Sequence, residues 1–305
     1  MSVSADAVRQ LRDRTGAGMM ECKRALVETN GDLDTAAELM RKQGLAKADK
    51  KADRIAAEGV VASAVSADGL TAVLVEINCE TDFVARGEDF TAFARDVAQA
   101  ALAGNPADVT ALGAQKLASG ETVEDRRRAL IAKLGEKISV RRFERVTSTS
   151  QLGSYLHGTR IGTLVAVQGG DASLARDLAM HVAATNPRHL DASQVPAEDI
   201  AKERSIRVEQ NRNDEKNKNK PEQVLAKILD GQIAKWLGEI TLLGQQFVKD
   251  DKLTIEKLLQ AASAKIVRYA RLEVGSGIEK KQDDFVAEVK AQAEAHKKDK
   301  VTDKS

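Results

Sequence analysis

Two stretches of this chain follow one pattern, and together they restrict the fold more than any other feature. "FARDVAQAALAGNP" runs from Phe93 to Pro106 and "LARDLAMHVAATNP" from Leu174 to Pro187. Both carry Ala-Arg-Asp, then an aliphatic residue and alanine, then Asn-Pro, at a constant offset of 81 residues. Each follows a hairpin signal. In the first, "GVVASAVS" and "LTAVLVEIN" flank Asp68-Gly69, and Val73, Val75 and Ile77 share one strand face. In the second, Tyr155 to Val167 read as the hairpin. Phe90, Phe93, Val97 and Ala101 form a helical stripe in the first copy. Alanine-rich helices also resemble one another by chance. Read as related units, the two copies predict an α+β fold with helices covering antiparallel sheets.

The copies are unequal. Thr71 to Ala94 spans 23 residues and Thr163 to Ala175 spans 12, so the first copy holds 11 extra residues between strand and helix. "NCETDFVARGEDF" fills that place. It puts Phe83, one of nine aromatics in the chain, beside Asp82 in a charged connector. Two readings stand. Phe83 folds back onto Phe90 while Asp82 or Thr81 caps the next turn, or Phe83 is an anchor for a partner's pocket. A connector that the other copy lacks is often functional.

The first 55 residues read as three short helices. Val8 and Leu11 mark the first, Met19, Cys22 and Leu26 the second, and Leu33, Ala36, Ala37 and Met40 the third, with Asp32 as a cap and Gly44 as a stop. Met19 and Met20 point about 100° apart in a helix, so both cannot be central in one small core, and the spare thioether suits an adaptable contact. Lys47, Lys50, Lys51, Asp53 and Arg54 read as a polar linker. Residues 196–238 are charged and thin in apolar side chains, with a polar tip "NRNDEKNKNKP". They read as an antiparallel helical hairpin whose second arm opens at Pro221. Residues 124–146 read as a helix then a strand, and Leu253 to Val274 as a helix and a strand returning to the second unit. The end of the chain reads as a helix with Phe285 and Val289 on one face.

Composition limits the chemistry. Only 3% of residues are aromatic, so the cores must be built from Ala, Leu, Val and Ile. With 47 basic against 46 acidic residues, net charge +1, phosphate neutralisation is a poor basis for binding, and no direct nucleic-acid contact is expected. No apolar run approaches the ~20 residues that cross a bilayer, and the start lacks the basic and apolar regions of a signal peptide. Cys22 and Cys79 lie far apart and read as reduced thiols of a cytoplasmic protein. "GAGMME" and "GSGIEK" lack the third glycine of a dinucleotide loop. None of His157, His181, His189 and His296 has metal-ligand spacing. His181 falls on a helix stripe as a hydrogen-bonded core-edge residue, whereas His157 lies near a hairpin turn beside Tyr155. No nucleophile, base and orienter assemble, so no catalytic residue, metal or cofactor is expected.

"LRDRTGAGMMECKRAL" and "INCETDFVAR" resemble the two signatures of the elongation factor Ts family. "LGSYLHGTRIGTLVA", "AMHVAA", "GQQFV" and "RLEVGSGIEK" match further segments of that family in order. The resemblance implies a ubiquitin-associated-like three-helix domain (1–55) and a core of two related subdomains (56–145, then 146–195 with 239–275). It also implies an inserted helical hairpin (196–238) and a C-terminal module (276–305). It implies exchange of guanine nucleotide on elongation factor Tu without chemical catalysis. In that reading Thr81, Asp82, Phe83 and Val84 intrude beside the partner's magnesium and phosphate region. Arg12, Met19, Met20 and Lys23 meet its nucleotide domain, and His157, Phe247 and Val248 meet its far domain. The hairpin is associated with a homodimer or a 2:2 complex in some members. A ubiquitin-like-binding or scaffold protein is the rival class.

Overall fold

The computed structural model describes residues 3–49, 51, 53–217 and 220–279. The expected C-terminal helix with Phe285 and Val289 lies outside the described residues.

Three helices open the chain: α1 (Ala5–Thr15), α2 (Met19–Glu28) and α3 (Leu33–Asp49). Ser4 caps α1 by accepting from the Ala7 amide at 3.1 Å, and Gly16, at φ 67°, ends it. Asp32 caps α3 through the Thr35 amide at 2.6 Å. Val8, Leu11, Cys22, Ala25, Leu26 and Ala36 form the bundle's small core. Gly44 does not stop α3, which runs on to Asp49. A glycine inside a helix costs about 1 kcal/mol relative to alanine, and the Ala-Lys run that follows favours helix enough to carry the chain past it.

The core contains two three-stranded antiparallel sheets. In the first, β1 (Glu58–Val65), β2 (Thr71–Cys79) and β3 (Ser139–Thr147) lie in that order. Between β2 and β3 run α4 (Asp82–Ala85), α5 (Glu88–Gly104), α6 (Val109–Gly113) and α7 (Val123–Leu134). In the second, β4 (Gln151–His157) and β5 (Ile161–Gln168) pair with β8 (Lys265–Glu273), with α8 (Ala172–Thr185) following β5. The interval before β8 holds α9 (Ala197–Asn213), α10 (Glu222–Ile240), the short pair β6 (Gln246–Phe247) and β7 (Asp250–Thr254), and α11 (Ile255–Ala261).

Strand alternation explains how these stack. Val73, Val75 and Ile77 face Phe90, Phe93 and Val97 of α5. Ala72 and Leu74, on the opposite face of β2, meet Leu164, Ala166, Ala270 and Leu272 of the other sheet. On the far side, Val165 and Val167 meet Leu178, Ala179 and Val182 of α8. The layers therefore run helix, sheet, sheet, helix. β2 is buried on both faces, which accounts for its nearly unbroken apolar run. A Cβ on Gly153 would sit 1.9 Å from the Ala175 carbonyl oxygen, so α8 approaches β4 at a distance only glycine permits.

The repeat is visible in three dimensions. α5 and α8 end at Asn105 and Asn186, left-handed at φ 44° and 48°, each followed by proline. Both central strands carry a bulge, between Glu76 and Ile77 in one sheet and between Ala166 and Val167 in the other. The bulges lie 90 residues apart and the helices 81, so the excess in the first copy is nine residues rather than 11. Thr71 and Thr163 share a residue type but occupy different rungs; Val73 is the residue equivalent to Thr163.

One ion cluster ties the sheets at their margin. Glu76 is fully buried and accepts from Arg141 (2.9 Å), Arg142 (2.6 Å), Asn78 (3.1 Å) and the Gly275 amide (2.8 Å). Burial raises the Glu76 carboxyl's pKa, but these donors outweigh it and hold the group below the ordinary carboxylate range. The three-helix bundle is not free-standing either: α3 packs against α7. α9 and α10 form the expected antiparallel arm, bridged by Arg204–Asp230 at 3.0 Å and by the amides of Asn211 and Gln232. Ile206 and Val224 are exposed on it.

Candidate functional site

β2 ends with Cys79 opposite Glu58, and the chain leaves the sheet. Thr81 is extended (φ −122°, ψ 154°) and its hydroxyl accepts from the Val84 amide at 3.3 Å, starting the single turn α4. Successive helical side chains diverge by about 100°. Val84 and Ala85 turn into the α5 core, which leaves Phe83 pointing outward, 85% exposed. Phe90 is fully buried with α5, so Phe83 does not rest on it. Asp82 and Arg86, both exposed, pair at 3.0 Å, a surface contact that contributes little stability.

The base of this turn is closely held. The Glu136 carboxylate accepts from the backbone amides of Glu80 (3.1 Å) and Thr81 (3.0 Å) and from the Thr81 hydroxyl (2.6 Å). Glu80 in turn accepts from the Lys137 amide at 2.6 Å and pairs with Arg54 at 3.3 Å. Cys79 donates its thiol to the Thr81 carbonyl at 3.2 Å. Burial, reinforced by Glu136, pushes that thiol's pKa up to about 12, so it stays protonated and is a packing group rather than a nucleophile.

The turn between β4 and β5 lies at the same end of the sandwich. Thr159 accepts from the Val61 amide at 2.7 Å, and Arg160 pairs at 2.9 Å with Glu58, the register partner of Cys79. His157 is exposed there and its Nδ1 is 3.1 Å from the Tyr155 hydroxyl. Val248 is also exposed, but Phe247 is buried, its ring 6.1 Å from that of His181. Of the "GQQFV" pair, only Val248 has a surface to offer. His181 is deeper than the expected core edge: it is fully buried, with Nδ1 accepting from the Val248 amide (3.3 Å) and Nε2 against Gln245 Oε1 (3.1 Å). Those partners fix a neutral ring with its proton on Nε2, and burial lowers its pKa, partly opposed by Gln245. His181 thus positions the loop that presents Val248.

On the bundle, Met19 (53%) and Met20 (66%) are both exposed, Lys23 is exposed one turn along the same helix, and Arg12 is exposed on α1. Val27, one turn beyond Lys23, extends this face. Its position seven residues after Met20 was a readable signal that periodicity alone did not single out. Cys22 and Cys79 are free and sit in separate cores. Among the described residues no group of His, Cys, Asp and Glu could hold a metal ion, and no helix is long and apolar enough to cross a membrane.

The arrangement is a set of exposed apolar side chains on hydrogen-bonded supports. A sequence model of the family described as Elongation factor TS matches residues 80–276. The chain is 55% identical over 296 residues to elongation factor Ts of Methylococcus capsulatus, covering 97% of this chain and 100% of that protein. The chain belongs to the elongation factor Ts family. Elongation factor Ts proteins of Xanthomonas oryzae pv. oryzae and Thioalkalivibrio sulfidiphilus are each 55% identical, over 96% of this chain and 99% of theirs. The match to the family model begins at Glu80, where the chain turns out of β2 toward Phe83. The alignments to these elongation factor Ts proteins extend over nearly the whole chain, bundle and arm included.

Proposed function

We propose that this protein is the exchange factor for elongation factor Tu, and that Phe83 is its wedge. The observation that carries the reading is Phe83 itself: an aromatic ring held almost wholly in water on a turn latched from below. A free protein gains nothing from that placement, whereas a partner's pocket gains the burial of the ring. Entry beside the partner's magnesium and phosphate site displaces elements that hold the ion. The ion bridges the phosphates and cancels charge, so its loss weakens GDP. By linkage, a factor that favours the nucleotide-free partner weakens nucleotide binding in the same proportion, and nucleotide in turn drives the factor off. GTP then takes the vacated site. Met19, Met20, Lys23 and Arg12 form a second contact on the partner's nucleotide domain, and His157 and Val248 a third on its far domain. The chemistry stays in the partner, in the cytoplasm, and this chain needs no cofactor.

Stopped-flow release of fluorescent GDP from purified elongation factor Tu tests the reading. Release accelerates with added protein and saturates, and excess GDP dissolves the complex. Binding that is indifferent to GDP, with no acceleration, would instead place the protein among scaffolds.

A further inference from the structure

We propose that Glu136 is a positioning residue for Phe83, holding the wedge at a fixed spacing from the methionine face of α2; this rests on the exchange reading above. α4 is a single turn, too short to persist on its own. Its first residues carry amides that no helical carbonyl can satisfy. Thr81 caps one of them, that of Val84, and Glu136 braces this cap in turn, accepting from the amides of Glu80 and Thr81, which lead into the turn, and from the Thr81 hydroxyl. Glu136 follows Gly135, at φ 79°, which ends α7, so the carboxylate is delivered by a rigid helix terminus.

The same short turn also grips the linker to the bundle. Lys51 donates to the Gly135 carbonyl. Lys137 donates its ammonium to the Arg54 carbonyl at 2.7 Å, and Arg54 reaches back to Glu80. One turn earlier, Lys133 pairs with Asp89 in the first turn of α5 at 2.7 Å. Its side chain also lies against Gly16, between α1 and α2, where an added Cβ would be 3.3 Å from it. Residues 133–137 therefore touch both apolar contact elements, the Phe83 turn and the segment leading into Met19 and Met20. The free protein holds these two elements preorganised, which lowers the ordering cost of binding.

The test compares Glu136→Ala and Glu136→Gln in the full chain, each with and without Phe83→Ala. Misplacement of about 1 Å can cost about 100-fold in a positioned step; Glu136→Ala is expected to lower the saturating GDP-release rate at least about tenfold. In the Phe83→Ala background the same change has little further effect, because the ring it positions is absent. Glu136→Gln recovers most of the rate, since its carbonyl oxygen keeps both amide bonds and its amide nitrogen can donate to the Thr81 hydroxyl. Amide hydrogen exchange of the free protein rises at residues 82–86 in Glu136→Ala while β2 and α5 stay protected. Equal losses in both backgrounds, or an unchanged rate, overturn the proposal. If Glu136→Ala does not fold cooperatively, Glu136→Asp, whose shorter side chain cannot reach all three partners, carries the same comparison. A wild-type protein that fails to accelerate GDP release removes the exchange reading, and the amide-exchange result then judges the latch separately.

Discussion

Replacing Phe83 with alanine separates stability from function, because the structure gives different magnitudes for the two. The side chain is 85% exposed, so the folded protein has little burial to lose. Surface substitutions of this kind change stability by no more than about 0.5 kcal/mol. A partner that buries the ring collects nearly all of the transfer free energy of a phenylalanine, about 1.5–3 kcal/mol. With 1.4 kcal/mol per factor of ten, that loss corresponds to about 10- to 100-fold. The assay is paired: urea denaturation of the free variant, and stopped-flow release of fluorescent GDP at saturating factor. The expected result is an unchanged denaturation midpoint with release slowed by one to two decades. Normal release by a folded variant refutes the wedge. A stability loss well above 1 kcal/mol refutes the exposure on which the estimate rests.

Glu76→Gln should destabilise the protein by up to about 3–5 kcal/mol, the cost of breaking a buried ion pair, reduced because Arg141 and Arg142 keep partial access to water; urea titration measures it. Since the folded-state pKa of Glu76 is lowered, its contribution is full above the unfolded value near 4.5 and is lost as pH falls through the folded value, so the variant's acid-unfolding curve should be shallower. His181 behaves in the opposite sense. It is buried neutral with a lowered pKa, so the unfolded state binds more protons below about pH 6.5 and stability declines there; His181→Gln should flatten that slope between pH 7 and 5. Met20→Ala should leave the melting temperature unchanged and weaken complex formation with elongation factor Tu about threefold to tenfold, read by calorimetric titration.

Periodicity found what periodicity encodes. The alternation of Val73, Val75 and Ile77 and the stripe of Phe90, Phe93 and Val97 define two faces that do meet in the core. The Asn-Pro ends of α5 and α8 locate the repeat, because a left-handed asparagine before proline is a local conformational signal. What local pattern does not carry is contact between distant segments. Glu136 sits in a helix-to-strand break with no sequence mark of its own, and its partners are more than 50 positions away. Glu76 interrupts an apolar strand, and only the opposing Arg141-Arg142 pair in the folded sheet gives it a reason. Phe247 ends β6 with its side chain buried, whereas Val248 falls in the turn that follows, which separates a candidate pair into one buried residue and one exposed. The direction of Phe83, open to two readings in the sequence, is set by the inward turn of Val84 and Ala85.

A ring left in water also endangers its owner. Phe83 is the one aromatic among the described residues that counts as an exposed hydrophobic, and such a group invites self-association. Here it protrudes singly from one helical turn, and the Asp82–Arg86 ion pair flanks it. Charges placed beside an unavoidable apolar group act as gatekeepers against aggregation. By that reasoning the surface pair that adds little to folding would oppose self-association through the most exposed aromatic side chain among the described residues.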